Sequence, residues 1–331
     1  MSYLPSPRGG DRRRTAGSHR ASPAIVEADV ALEAPPDAAT AVIGAGRRTL
    51  APFGRRLARV TANDGYGAYR LITLRDAAGP PDPRPGQFYM LATASGWSAE
   101  GGGRPYLPRA FSFCCVHSGG EPGQVTGTEP GETALDFLLE AIGPGTGRLA
   151  RVAPDEEMWL TGPLGLGFSP PREGTRPVLV GGGIGVAPIV CLHDELAPSA
   201  RVLLGFRSSA HAEAVGLFGA GSLEPPRVAT DDGSVGRHAL VTELLREELD
   251  ADPAATVYAC GPPAMLEGVR AICAEREVSA ELALEAGMAC GFGACYGCVV
   301  PTRGGYVRLC VDGPVLAAAA LETAAGPGAG H

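Results

Sequence analysis

VLVGGGIGVAP, residues 178 to 188, runs from an apolar stretch through four glycines into the start of a helical pattern. Glycines between a buried strand and a helix N-terminus let backbone N–H groups and the helix dipole approach a pyrophosphate. Taken alone, such a turn can be purely geometric. Two later stretches, ATDDGSVG (Ala229 to Gly236) and CGPPAML (Cys260 to Leu266), also fall at strand ends. An open α/β sheet builds its ligand crevice at the carboxyl ends of its strands, so three such turns together point to a nucleotide site.

Working outward, RPVLVGGG reads as a buried strand, APIVCLHDELA as a helix, ARVLLGF as a strand, HALVTELLREEL as a helix, TVYACG as a strand and PAMLEGVRAICAERE as a helix. Alternation of this kind predicts a parallel sheet with crossover helices over residues 171–282. Upstream, RLARVTAN, AYRLITLR, GQFYMLAT, RAFSFCCV and TALDFLLEAI are short β-rich runs divided by turn residues. Their texture predicts a small antiparallel β-barrel over 49–170. Residues 1–48, rich in Pro, Ala, Gly and Arg and without sustained periodicity, read as a disordered leader. A small module over 283–316 holds a cysteine cluster, and 317–331 reads as a flexible tail. The expected fold is thus α+β and multidomain.

At 331 residues the chain can bury more than one core. Its net charge of -8, with both signs mixed along most of its length, offers no cationic face to nucleic acid or to anionic lipid. The longest uncharged apolar stretch, residues 177–192, is too short and too glycine-rich to span a bilayer. No apolar signal segment follows the arginines at 12–14, so a cytoplasmic protein is expected. Nine cysteines, clustered toward the C-terminus, suit metal ligation better than a disulfide framework.

The cysteines Cys290, Cys295, Cys298 and Cys310 follow C-x4-C-x2-C-x11-C, and the start of that spacing is the plant-type [2Fe–2S] pattern. Gly291, Gly293 and Gly297 would let the loop take positive φ and bring N–H groups to the sulfurs. A four-cysteine zinc site is the competing reading, but it usually shows two separated C-x2-C knuckles, and only one is present. Cys114, Cys115, Cys191 and Cys273 read as small buried apolar residues. Upstream, RAFS (Arg109 to Ser112) offers a guanidinium and a hydroxyl at a strand end, and GPGTGRL (Gly143 to Leu149) a glycine turn with a threonine. Such groups can grip a phosphate or a flavin edge, or merely cap a strand and close a turn.

The order of Arg109-Ala-Phe-Ser112, Gly145-Thr146, GPLGLGF, LVGGGIGVAP, TDDGSVG, CGPPAM and MACGFGACYGCVV…RLCVDGPV resembles the electron-transfer subunits of NAD-dependent, two-subunit (type 1B) dihydroorotate dehydrogenases. These belong to the ferredoxin-reductase superfamily. The resemblance runs from about residue 50 to 316, and its cysteine segment is highly specific. It implies an FAD-binding β-barrel, an NAD-binding α/β domain and a [2Fe–2S] module. Arg109, Ala110, Phe111 and Ser112 would hold the flavin ring and its phosphate, and Gly145 and Thr146 the rest of FAD. Gly181, Gly182, Gly183, Gly185, Asp231, Asp232, Cys260, Gly261 and Pro262 would frame the nicotinamide nucleotide, and the four cysteines would ligate the cluster. The implied partner is an FMN-containing catalytic subunit, two copies of each forming a heterotetramer. No residue of this chain is asked to act on dihydroorotate.

Three departures stand out: Ala110 replaces the usual Pro, Glu140 stands where a neutral or basic flavin contact is common, and the leader has no counterpart. The acidic pair Asp231-Asp232 suits NAD better than NADP, while Arg207 after LLGF could favour a 2′-phosphate. The nearest rival is the small subunit of a ferredoxin:NADP or sulfide dehydrogenase type of oxidoreductase, in which Asp typically takes the first ligand position occupied here by Cys290. Oxygenase reductases have a longer ferredoxin module. A redox sensor or scaffold that has lost its flavin is the non-enzymatic alternative.

Overall fold

The computed structural model describes residues 47–52, 54–95, 107–118, 132–219 and 224–324. Most of the expected leader, and residues 325–331 of the expected tail, lie outside these. The first sheet contains β1 (Arg56–Tyr66), β2 (Tyr69–Asp76), β3 (Phe88–Thr93), β4 (Arg109–Ser112), β5 (Cys115–Ser118), β6 (Thr133–Leu139) and β7 (Glu157–Leu164). All its pairings are antiparallel, in the order β4-β3-β7-β1-β2-β6-β5. Its two edge strands follow one another in the chain, and β4 also packs on β6, so the sheet curls on itself. Burial along β1 alternates from Arg56 to Val60, as strand geometry demands. Val60, Leu74, Tyr89, Leu91, Phe137 and Leu149 fill the enclosed side. Arg56 and Asp76 form a buried ion pair there, with Arg56 Nε 3.0 Å from Asp76 Oδ1.

Two local expectations shift here. RAFSFCCV is two strands, interrupted at Phe113 and Cys114. β7, which the turn-rich TGPLGLG concealed, is an interior strand between β3 and β1.

The second sheet contains β8 (Arg176–Gly182), β9 (Arg201–Phe206), β10 (Arg227–Thr230), β11 (Arg237–His238), β12 (Ala255–Cys260), β13 (Ser279–Ala283) and, after the hairpin of β14 (Val299–Thr302) and β15 (Gly305–Arg308), β16 (Val315–Ala317). The order is β11-β10-β9-β8-β12-β13-β16, parallel throughout except that β16 runs antiparallel to β13. The expected parallel sheet therefore carries an antiparallel edge. The helices Val186–Leu196, Val241–Ala251 and Pro263–Glu275 stand where the apolar spacing placed them. The chain builds outward through β9 and β10 and then returns to β12 on the other side of β8. That reversal puts a switch point between β8 and β12, where Cys260 lies opposite Gly181.

Residues 317–324, expected as the start of a flexible tail, are packed. Leu321 is 1% and Ala324 3% exposed, and Glu267 accepts hydrogen bonds from Thr323 Oγ1 and the Ala324 amide. Apolar burial on the helix Pro263–Glu275 outweighs the disorder that an Ala-rich composition suggests.

Candidate functional site

At the switch point the two sheets leave a cleft of about 220 Å3. Ala110, Phe111 and Ser112 from β4 line it, together with Gly185 after β8 and Cys260 at the end of β12. Its remaining wall is the chain from Ala283 to Ala286, then Met288, then Pro314. Met288 precedes Cys290 by two residues and Pro314 follows Cys310 by four, so both ends of the cysteine segment run into the cleft wall.

The glycine turn is built by close approach. A Cβ on Gly185 would lie 2.5 Å from the Cys260 carbonyl and from the Gly261 amide nitrogen, and one on Gly182 would lie 2.4 Å from Met265 Sδ and 3.1 Å from Pro262. Gly182 also packs on Gly261, and Gly181 on Leu204 and Val186, so Gly181, Gly182, Gly261 and Pro262 lie outside the cleft lining, next to Gly185 and Cys260, which belong to it. Gly183 has φ +53 and nothing within 4 Å of a Cβ position, so its backbone faces open space.

Beside this cleft, Arg109 lies across Gly145, where a Cβ would come 2.6 Å from Arg109 Nε. Arg109 Nη1 donates to the Leu107 carbonyl at 2.6 Å. Thr146 Oγ1 accepts the amides of Ile142 and Gly143, both at 3.0 Å, which closes the turn before the helix Pro144–Leu149. Glu140 faces His211, 3.4 Å away.

Asp231 and Asp232 do not reach the cleft. They follow β10, two strands from β8, and both are exposed. Asp232 Oδ1 accepts the Ser234 hydroxyl at 2.6 Å and the Ser234 amide at 2.9 Å, and these bonds hold its carboxyl below the usual range. Arg207, after β9, is exposed.

Cys290 is partly exposed, Cys295 is exposed, and Cys298 and Cys310 are buried. Gly291 and Gly293 take φ +78 and +85. At the third expected position it is Tyr296, with φ 56, and not Gly297 that turns left-handed. A Cβ on Gly291 would sit 2.9 Å from Leu164 and Met90, so the loop rests on the first sheet. Burial pushes the Cys290 thiol up, but the amides of Cys295 and Phe292, the Cys295 side chain and the Ala294 amide outweigh it and hold the thiol at about 6. Burial and the neighbouring Cys298 push Cys310 up to about 12.

The sulfurs fall into two pairs. Cys295 interacts with Cys290, and Cys298 Sγ lies 3.2 Å from Cys310 Sγ. Among the described residues no three Cys, His, Asp or Glu side chains converge as a set for a single metal ion. Two pairs suit two irons with two thiolates each, whereas zinc needs four ligands around one point. N–H groups aimed at sulfur, including Gly297 to Cys295 and Cys310 to Cys298 at 3.4 Å each, are what thiolate ligands require. Of the other cysteines, Cys114, Cys191 and Cys273 are buried as expected, and Cys115 is intermediate.

Several lining residues carried no signal in the sequence. Phe88, Leu138 and Glu285 reach the cleft only through folding, whereas Ile184 and Pro188 lie inside the glycine motif and Met288 opens the cysteine motif.

A curled antiparallel sheet joined to a parallel α/β sheet, with the cleft at the switch point, defines the ferredoxin-reductase-like class. A solved NADH-dependent reduced ferredoxin-NADP oxidoreductase shares the fold with a TM-score of 0.66, at 21% identity over 82% of this chain and 92% of that one. Residues 285–322 match the family described as the iron-sulfur cluster binding domain of dihydroorotate dehydrogenase B. The electron transfer subunit of dihydroorotate dehydrogenase B (NAD(+)) from Clostridium acetobutylicum is 32% identical over 75% of this chain and 89% of its own length. Its counterpart from Bacillus caldolyticus is 36% identical over 71% and 85%. The chain belongs to the family of dihydroorotate dehydrogenase B (NAD(+)) electron transfer subunits, as its motifs predict.

Proposed function

We propose that this chain takes electrons from the FMN of a dihydroorotate dehydrogenase catalytic subunit, passes them through a [2Fe–2S] cluster and FAD, and delivers them to NAD+ in pyrimidine biosynthesis. The observation that carries this reading is the three-walled cleft, which joins β4, the glycine turn and both ends of the cysteine segment. In this reading residues 49–170 are the FAD-binding β-barrel, 171–282 the NAD-binding domain and 283–316 the cluster module. When bound, the flavin exchanges single electrons for a hydride, which neither an iron–sulfur centre nor nicotinamide does alone.

The chain's own residues bind and orient. Arg109, Ala110, Phe111 and Ser112 hold the flavin, with Gly145 and Thr146 shaping the turn that receives the rest of FAD. Gly181, Gly182, Gly183, Gly185 and Cys260 to Pro262 let the nicotinamide nucleotide approach the backbone closely. Asp231 and Asp232 repel a 2′-phosphate and so favour NAD. Cys290, Cys295, Cys298 and Cys310 ligate the cluster. Phe88, Leu138, Ile184 and Pro188 keep water from the reacting edge. The partner is the FMN-bearing catalytic subunit, in a heterotetramer with two of each chain. Among the described residues no helix is long and apolar enough to cross a membrane. A cytoplasmic setting fits both this and nine cysteines without a described disulfide.

The test is purification of the chain alone and together with its FMN-containing partner, followed by absorption spectra and FAD, iron and sulfide analysis. The expected outcome is a flavin and iron–sulfur spectrum and NADH-linked reduction of artificial acceptors, with dihydroorotate oxidised only when the partner is present. A colourless zinc protein, or orotate formation by the chain alone, overturns the reading.

A further inference from the structure

The two cysteine pairs are carried by different pieces of chain. Cys290 and Cys295 sit in the glycine-bearing loop, whereas Cys298 lies just before β14 and Cys310 in the short helix Leu309–Asp312 that follows β15. Arg308, the last residue of β15, touches both pieces. On the helix side its backbone amide and Nε donate to Asp312 Oδ2, at 2.9 and 3.3 Å. This holds the side chain against the turn that carries Cys310. The far end crosses to the loop: Nη1 donates to the Gly293 carbonyl at 3.4 Å, and the guanidinium carbon stands 5.7 Å from the centre of the Tyr296 ring. That is within cation–π range, and Tyr296 is the left-handed residue between Cys295 and Cys298. A Cβ on Gly293 would come 3.1 Å from Nη1, so the loop backbone passes close beneath the guanidinium. Asp312 is bonded through Nε and the main chain, which leaves Nη1 turned to the loop.

Ligating thiolates bring negative charge into this loop, and an electron accepted by the cluster adds to it. The balance is oxidised cluster + e− → reduced cluster, with no proton, the electron coming from the partner's flavin. A cation fixed beside such a centre favours the form that holds the added charge, most of all where partial burial keeps water from screening it. We propose that Arg308 braces the two cysteine pairs against each other and, by its charge, raises the reduction potential of the cluster they hold. The role needs the guanidinium fork, which reaches Asp312 with one nitrogen and Gly293 with another, and a Lys ammonium supplies the charge without that fork.

This proposal rests on the iron–sulfur reading above, and its test separates the two. The holo chain and its variants are titrated anaerobically with dithionite and redox mediators, the cluster followed by electron paramagnetic resonance and the flavin by absorption. At a fixed potential, Arg308→Gln is expected to shift the reduced-to-oxidised ratio of the cluster about tenfold toward oxidised, a midpoint lower by about 59 mV for one electron. The flavin midpoint should not move. Arg308→Lys should recover most of the cluster's midpoint but not the unmodified resonance line shape, which reports the brace. Asp312→Asn removes the counter-charge and should shift the ratio the other way, so the sign of the effect is read even where Arg308→Gln holds no iron. An unchanged cluster midpoint in Arg308→Gln, a lowered one in Asp312→Asn, or a shift that Arg308→Lys does not reverse overturns the proposal. An unmodified chain that binds no iron overturns the earlier reading instead.

Discussion

Gly183 and Gly185 stand two positions apart in one turn, and each is glycine for a different reason. At Gly183 the constraint is conformational, because φ is +53 and a Cβ would meet nothing. Gly183→Ala should cost about 1–2 kcal/mol of stability and leave NADH binding close to normal. At Gly185 the constraint is space, since a Cβ would strike the Cys260 and Gly261 backbone at 2.5 Å. Gly185→Ala should cost about 2–3 kcal/mol and weaken NADH binding about tenfold or more, because β8 and β12 must part at their ends. Chemical denaturation and NADH titration of both variants check this, and equal binding losses would sink the distinction. The sequence marks all four glycines, but which of them is crowded depends on a strand 75 residues further along. Glu285 shows the same limit: nothing in LALEAGMAC says that its carboxylate meets a cleft built by β4 and β12.

Elements repeat this pattern at a larger scale. The long amphipathic helices were legible because apolar spacing and burial agree, and the four cysteines because ligand spacing is local. β7, β13 and β16 were not. The first is masked by its Gly-Pro step, and the other two are short and alanine-rich, so their pairing is decided by neighbours and not by propensity. The short helix Leu309–Asp312, which carries Cys310, is held from far away: Arg48, at the end of the expected leader, donates to the Val311 carbonyl. Removing that bond should loosen the helix and expose its cysteine. Arg48→Ala is expected to lose iron to a chelator several times faster than the unmodified chain while keeping its FAD, as followed by the visible absorption of each group. Matching rates of iron loss would show that the helix holds itself.

For the molecule as a whole, the junction around Glu281 ties the parts together. Arg47 donates to the Gly167 carbonyl at 2.7 Å and lies 3.6 Å from Glu281, Ser169 donates to the same carboxylate, and Tyr258 reaches the Ser169 carbonyl at 2.9 Å. These bonds link the chain beyond β7 to β12 and β13, so the two sheets should melt together. Calorimetry is expected to give one transition for the unmodified chain and two, or one broadened transition, for Glu281→Ala. A sharp single transition merely shifted in temperature would mean that apolar contact alone couples the sheets. The division into an antiparallel part, an α/β part and a cysteine segment could be read from texture, whereas the cleft where they meet could not, because its walls come from residues 88 to 314. The antiparallel pairing of β13 with β16, Glu281 to Ala317 through Ala283 to Val315, has its own consequence. The cysteine segment is a loop pinned at both feet and not a bead on the chain's end. Tying off a loop of that length costs roughly 3 kcal/mol in chain entropy, and here the ladder has met that cost before any iron arrives. Cluster insertion then becomes a local closure on a tethered frame, and a fragment cut between the two strands would have to find its four thiolates without it.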